Sequence, residues 1–205
     1  MRRQFLIATM TMNLAVGCVP AVVVNIDPRL SLRDNDHQLG APDASVVVIE
    51  YGDLECPICG RFAREVFPAI QTQYIDNNRV LWVFRHLPLP ELHAHALTAA
   101  TASECAAQQD GFYEYIELLF NNQSAFEDVD LIGYATDLGL DQDMFMECSN
   151  SDRHDERVNS DREDAIALGA SGTPTFFING RIARGFFDVA DFSALLNSAL
   201  EQAGP

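Results

Sequence analysis

Two cysteines two residues apart, Cys56-Pro57-Ile58-Cys59, fall where an apolar strand hands over to a helix, and few folds place a pair there. Before them, Ser45–Glu50 is an almost unbroken β-branched run, the pattern of a fully buried strand. After them, Phe62, Val66, Phe67 and Ile70 recur at helical spacing. A helix N-terminus carries unpaired N–H groups and a partial positive charge, and both favour a thiolate. Cys56 takes that edge, and Cys59 lies one turn in, shielded and within reach of the first sulfur. Pro57 suits the first helical position because the N–H it lacks would be unpaired there. This is the setting of a redox dithiol. A thiol of ordinary pKa near 8.5 is only about 3 % ionised at pH 7. Each unit of lowering stabilises the reduced form by about 1.4 kcal/mol, near 30 mV of potential.

The other use of such a pair is half a zinc site. Its remaining ligands would come from His93 and His95, or from Cys105 and Cys148. No second closely spaced cysteine pair exists, and a strand-to-helix setting is unusual for a zinc knuckle. The reading is therefore redox, with no metal and no cofactor. His-x-His at the start of a helix points two ways, so both histidines are read as structural.

The chain around the pair has the size of one domain with an insertion, at 205 residues. Its 13 basic residues stand against 30 acidic ones, a net charge of −17 that argues against nucleic acid as a partner. Met1-Arg2-Arg3, an apolar Phe5–Val16 and the small residues Ala15-Val16-Gly17 read as an export signal over residues 1–26. Cys18 follows directly, so the segment also fits a lipoprotein signal in which Cys18 is lipidated. Ala15 stands where that pattern prefers leucine, and plain cleavage is the alternative; an uncleaved anchor is disfavoured by Asn13, Pro20 and Asn25.

Residues 27–42 read as a linker or irregular arm. Arg79–Arg85 is a second buried strand, making a right-handed βαβ unit with the first. Pro68 inside the intervening helix predicts a break near Phe67. Residues 92–170 are helical throughout, with acid-rich Ser151–Ala167 read as a solvated face. Strands return at Thr175–Ile178 and Arg181–Arg184, joined by Asn179-Gly180, a strong hairpin signal. A last helix covers about Asp188–Gln202. The order is α/β, a thioredoxin-like core over residues 43–91 and 171–205 with an all-helical insertion over 92–170.

Three further features bear on chemistry. Pro174 opens a buried strand after a Gly-rich turn; a cis Thr173–Pro174 bond would present the backbone of Thr173 to an extended chain, though most X–Pro bonds are trans. Glu50 shares a strand face with Val46 and Val48. It is either buried with a raised pKa, able to exchange a proton with Cys59, or a strand-end carboxylate that reaches water. Cys105 and Cys148, both in the helical block, are either a structural disulfide, as export favours, or two buried thiols.

Together, Tyr51–Phe62, Phe84–Pro90 and Gly172–Gly180 resemble the active-site block, second-strand exit and cis-proline loop of the DsbA-like thiol:disulfide oxidoreductases of the thioredoxin superfamily. The resemblance runs from about Gly40 to Ala199. It implies Cys56 as nucleophile, Cys59 as resolving thiol, Thr173-Pro174 as the cis-proline substrate loop and Glu50 as the buried acid beneath. Some members carry a second disulfide in the helical domain, which Cys105 and Cys148 match. It also implies client proteins with free thiols or disulfides, a redox partner that is a membrane reoxidant or a reductant, and a periplasmic or extracytoplasmic location, lipid-anchored if Cys18 is modified. Strongly oxidising members have Pro-His between the cysteines; Pro57-Ile58 implies a milder oxidant and leaves reductase or isomerase duty open. A non-redox binding or metal-carrying module on this fold is the remaining alternative.

Overall fold

The computed structural model of the chain describes residues 27–204. The expected export signal and Cys18 lie outside the described residues. A five-stranded sheet forms the centre, with β1 (His37–Leu39), β2 (Val46–Gly52), β3 (Val80–His86), β4 (Thr175–Ile178) and β5 (Arg181–Arg184) in the order β1-β3-β2-β4-β5. β2 and β3 run parallel, with Val48 opposite Trp82 and Glu50 opposite Phe84. β2 pairs antiparallel with β4, placing Glu50 opposite Phe176. Their near-continuous apolar sequences follow from this central position, since both sheet faces are covered. Asn179 and Gly180 both have positive φ, as a two-residue hairpin turn requires, and Asn179 Oδ1 accepts the N–H of Val47 at 2.8 Å.

Between β2 and β3 the chain forms α1 (Pro57–Glu65) and α2 (Phe67–Ile70), followed by a π-helical stretch, Gln71–Ile75. The break falls at Val66, two residues before Pro68, whose ring forbids an undisturbed helix. Five helices separate β3 from β4: α3 (Ala96–Ala107), α4 (Phe112–Asn121), α5 (Asp128–Asp137), α6 (Gln142–Ser149) and α7 (Asp155–Ala167). α8 (Val189–Ala203) closes the chain, with the Asp188 carboxylate capping it through the N–H of Asp191.

One face of the sheet packs Val48, Trp82 and Phe176 against Phe62 of α1 and Phe192 of α8, whose rings lie 5.2 Å apart. The opposite face buries Ile49, Tyr51, Val83 and Phe177 with Ala165 of α7. The helical block has its own core, and Leu54, Cys56, Cys59 and Phe84 belong to it. The two sulfurs therefore sit at the seam between sheet and helices.

Residues 27–42 differ from a linker. They carry a 3₁₀ turn at Pro28–Leu30 and edge strand β1, antiparallel to β3. The Arg85 guanidinium, fully buried, holds this arm: Nε and Nη2 donate to the two Asp36 carboxylate oxygens at 2.9 and 2.8 Å, and Nη2 and Nη1 donate to the carbonyls of Ser31 and Arg29. Helix α7 is likewise more than a solvated face. Asp161 is fully buried, where it accepts Arg33 Nη1 at 2.7 Å and the N–H of His86 at 3.1 Å.

Candidate active site

Cys56 is the N-cap of α1, with extended backbone angles and its carbonyl accepting the N–H of Gly60 at 3.0 Å. Pro57 is the first helical residue. The side chains of Cys56 and Cys59 form a dithiol; Cys59 is completely buried and Cys56 nearly so, at 6 % exposure. From the other side of the seam comes the turn before β4. The Thr173–Pro174 bond is cis, and the Cys56 thiol lies 3.6 Å from the Thr173 carbonyl oxygen. The Thr173 hydroxyl is buried and has no hydrogen-bond partner while Cys56 is a thiol.

These neighbours divide the two thiols electrostatically. The Cys59 thiol donates to the Cys56 sulfur, and this is the largest influence on Cys56. Burial opposes it, but the Thr173 hydroxyl and the N–H groups of Cys59 and Ile58 add to it, and the Cys56 pKa falls to about 5. At pH 7 such a group is about 99 % thiolate. Cys59 moves the other way: burial, then the hydrogen bond and charge of Cys56, then the charge of Glu50 push its thiol well above the ordinary value. One sulfur is an ionised nucleophile or leaving group, and the other holds its proton.

Glu50 is buried within β2, the first of the two alternatives the strand pattern allows. Loss of solvent raises its pKa to about 8, against a weaker opposing hydrogen bond from Trp82. It borders a cavity of about 430 Å³ between α1, α2 and α4, lined also by Phe62, Phe67, Trp82, Phe84 and Phe120. Gly52, two residues on, has no room for a side chain, since a Cβ there would lie 2.6 Å from the Phe84 ring. The close packing of Phe84 under the thiol loop depends on it.

Cys56, Cys59, Thr173 and Pro174 thus meet at one place, and the charge of Glu50 reaches it through Cys59. Cys105 and Cys148 are joined in a disulfide between α3 and α6, with Cα atoms 5.7 Å apart. Of the histidines weighed as zinc partners, His93 is paired through its ring, Nδ1 lying 2.8 Å from Asp53 Oδ2, whereas His95 donates its backbone N–H to Glu55 Oε2 at 2.6 Å. Two further site residues carried no specific sequence signal, and a third, His93, was read as structural. Gln123, in the turn after α4, donates its amide to the carbonyls of Leu54 and Cys56 at 2.9 and 2.8 Å. It approaches so closely that a Cβ on Gly60 would lie 2.1 Å from its Oε1. Asp53 and His93 complete the loop. Asp53 stands three residues before Cys56, which is the only hint the sequence offers.

Comparison with known proteins agrees with this fold. The model of the family described as Thioredoxin matches residues 33–198. The chain belongs to the thioredoxin family. Among solved structures, this thioredoxin-family chain superimposes on alpha-DsbA1 of Wolbachia pipientis with a TM-score of 0.76 and 30 % identity, over 85 % of this chain and 95 % of that one. It superimposes on oxidised BdbD of Bacillus subtilis with a TM-score of 0.73 and 26 % identity, over 81 % and 93 %. Its fold is therefore that of the DsbA-like members. The curated relatives carry a different name. A Na(+)/H(+) antiporter NhaA 1 of Salinispora arenicola is 40 % identical over 178 residues, and an antiporter NhaA 3 of Salinispora tropica is 40 % identical over 182. Those stretches are 87 % and 89 % of this chain but 26 % of each antiporter, so the chain spans about a quarter of the relatives' length. Among the described residues no helix is long and apolar enough to cross a membrane.

Proposed function

We propose that the chain is an extracytoplasmic thiol:disulfide oxidoreductase that passes the Cys56–Cys59 disulfide to client proteins. The observation that carries the proposal is the split between the two thiols, one near pKa 5 and one well above 9, beside the Thr173 backbone. A client thiolate attacks the Cys56 sulfur of the oxidised pair, and Cys59 leaves. Cys59 takes up a proton, for which Glu50, whose charge is felt at Cys59, is an acid able to give one at neutral pH. A second client thiolate then attacks the client sulfur of the mixed disulfide and expels Cys56, a good leaving group because its thiolate is stable. The client has lost two electrons and gained a disulfide, and the Cys56–Cys59 pair has gained those electrons. The Thr173 carbonyl and the turn around it offer an extended client strand a backbone partner next to the sulfur. A second protein must reoxidise the pair, and the DsbA-like fold favours a membrane quinone-linked one. Export, through signal cleavage or lipidation of Cys18, is part of the same proposal.

The lowered pKa of the nucleophile supports the oxidising direction. Thioredoxin, with a thiol near 7, lies at about −270 mV, and DsbA, near 3.5, at about −120 mV. At about 30 mV per unit, a Cys56 near 5 puts this pair roughly 60 mV above thioredoxin. That lies among the glutaredoxins and below protein disulfide isomerase, so the shift favours oxidation relative to thioredoxin. The antiporter names belong to proteins of which this chain matches only a quarter. Two assays test the reading: equilibration with glutathione, and oxidation of a reduced, unfolded client. We expect a potential near −210 mV and client oxidation that disappears in Cys56→Ser. A potential at or below thioredoxin's would make the protein a reductase, and wild-type protein inert in both assays would remove the redox reading altogether.

A further inference from the structure

Pro57-Ile58 leaves the thiol turn without a basic side chain between its cysteines, yet a basic side chain reaches the loop that leads into it. The loop after β3 folds against residues 53–55 and is fastened there at several points. The N–H of Leu87 donates to the carbonyl of Gly52 at 2.8 Å, the N–H of Leu89 to Asp53 Oδ2 at 2.8 Å, and the N–H of His95 to Glu55 Oε2 at 2.6 Å. His93 lies within this loop, its side chain 17 % exposed, with Nδ1 2.8 Å from Asp53 Oδ2. Asp53 is itself tied to the thiols. Its carbonyl accepts the N–H of Cys56 at 3.1 Å, and its own N–H acts on the Cys59 sulfur. Its carboxylate is completely buried, and His93 is its one ionisable partner among the described residues. The carboxylate also accepts the N–H of Glu55 at 2.9 Å, yet it stands three residues before the thiolate, and two negative charges in a poor dielectric favour a nearby cation.

We propose that His93, held by Asp53 beside the loop that ends in Cys56, supplies the positive charge that the Pro57-Ile58 dipeptide lacks and so favours the Cys56 thiolate. This rests on the redox reading above. The ionisable groups that act on His93 are Asp53, Glu55 and Cys56. Glu91, in the same loop, is engaged by Arg162 of α7 at 3.5 Å. Burial lowers the His93 pKa, but the Asp53 hydrogen bond and charge, with the charges of Cys56 and Glu55, outweigh it and raise it above the ordinary value. A protonated His93 offsets the Asp53 carboxylate, and its charge and that of the Cys56 thiolate favour one another. His93 acts through charge on the nucleophile and takes no proton from a client.

The substitution His93→Asn separates charge from scaffolding, since its amide can still donate to Asp53. The Cys56 thiolate is titrated by its ultraviolet absorbance, and the equilibrium constant with glutathione is measured, in wild type, His93→Asn and His93→Lys. We expect His93→Asn to raise the Cys56 pKa by about half a unit. Its reduced form should then be roughly threefold less favoured, about 14 mV at 29.6 mV per decade. His93→Lys should return most of the shift. If His93→Asn superimposes on wild type, or if both variants shift equally, the proposal is wrong and His93 is only a strut. If His93→Asn does not fold, His93→Gln, which also keeps an amide donor for Asp53, replaces it in the same titration. It should raise the Cys56 pKa by a similar amount, and equality with wild type overturns the idea. A wild-type Cys56 that itself titrates near 8.5 would instead count against the redox reading, so the two failures are distinguishable.

Discussion

Glu50 holds its proton at neutral pH because burial within β2 outweighs its hydrogen bond from Trp82, and this has a consequence for stability. Below about pH 4.5 the carboxyl is protonated whether the chain is folded or unfolded, so its contribution is greatest there. As pH rises from 4.5 toward 8, the unfolded chain gives up the proton and the folded chain keeps it, so stability falls by about 1.4 kcal/mol per unit. At pH 7 that amounts to roughly 3 kcal/mol. Glu50→Gln should therefore stabilise the protein by about that amount at pH 7 in denaturant unfolding and by nearly nothing at pH 4. Parallel pH profiles for the two proteins would mean that Glu50 does not titrate as described. The same substitution should slow the release of Cys59 from the client exchange, since that proton donor is gone. Strand alternation put Glu50 on a face with Val46 and Val48 but said nothing of how deep that face lies. Phe84 and Phe176, opposite Glu50 in the sheet, bury it, and their register is a matter of pairing between distant segments. Cys56 and Cys59 were legible because their chemistry is local: strand, turn and helix start are contiguous in the chain.

At the level of elements, legibility follows the range of the contacts. The β2–α1–β3 unit, the break before Pro68 and the Asn179-Gly180 hairpin all rest on neighbouring residues, and all are readable. β1 is not. His37–Leu39 has three residues and no apolar alternation. It is a strand because Arg85 clamps the arm and because the Tyr113 hydroxyl donates to the His37 carbonyl at 2.7 Å. The burial of Asp161 in acid-rich α7 is hidden for the same reason, since its partners Arg33 and His86 are far away in sequence. The Cys105–Cys148 disulfide joins α3 to α6 across 43 residues, and the chain-entropy model assigns it about 4 kcal/mol. A Cys105→Ser, Cys148→Ser protein should lose stability on that order in urea, yet its Cys56 thiolate should titrate where the wild type's does. A matching shift at Cys56 would show that this bridge tunes the thiol site as well as bracing the helices.

The whole molecule is arranged so that two packed bodies meet at the sulfurs. The sheet, with α1 and α8, presents the N-terminus of α1 and the Thr173 turn. The helical block closes over Cys56 and Cys59 and lends Gln123 to the carbonyls of Leu54 and Cys56. The hydrogen bonds that lower the Cys56 pKa come from α1 and the Thr173 turn, while the helical block adds to the burial that raises that of Cys59. The net charge of −17 has no part in that split, which comes from short-range hydrogen bonds, burial and the buried Glu50. The direct measurement is the ionisation of Cys56 in the reduced wild-type protein, followed by ultraviolet thiolate absorbance from pH 3 to 9. An inflection near pH 5 is expected, displaced upward in Cys59→Ala, which removes the strongest hydrogen bond to that sulfur, and missing in Cys56→Ser. An inflection near pH 8.5, unmoved by Cys59→Ala, would contradict the account at its centre.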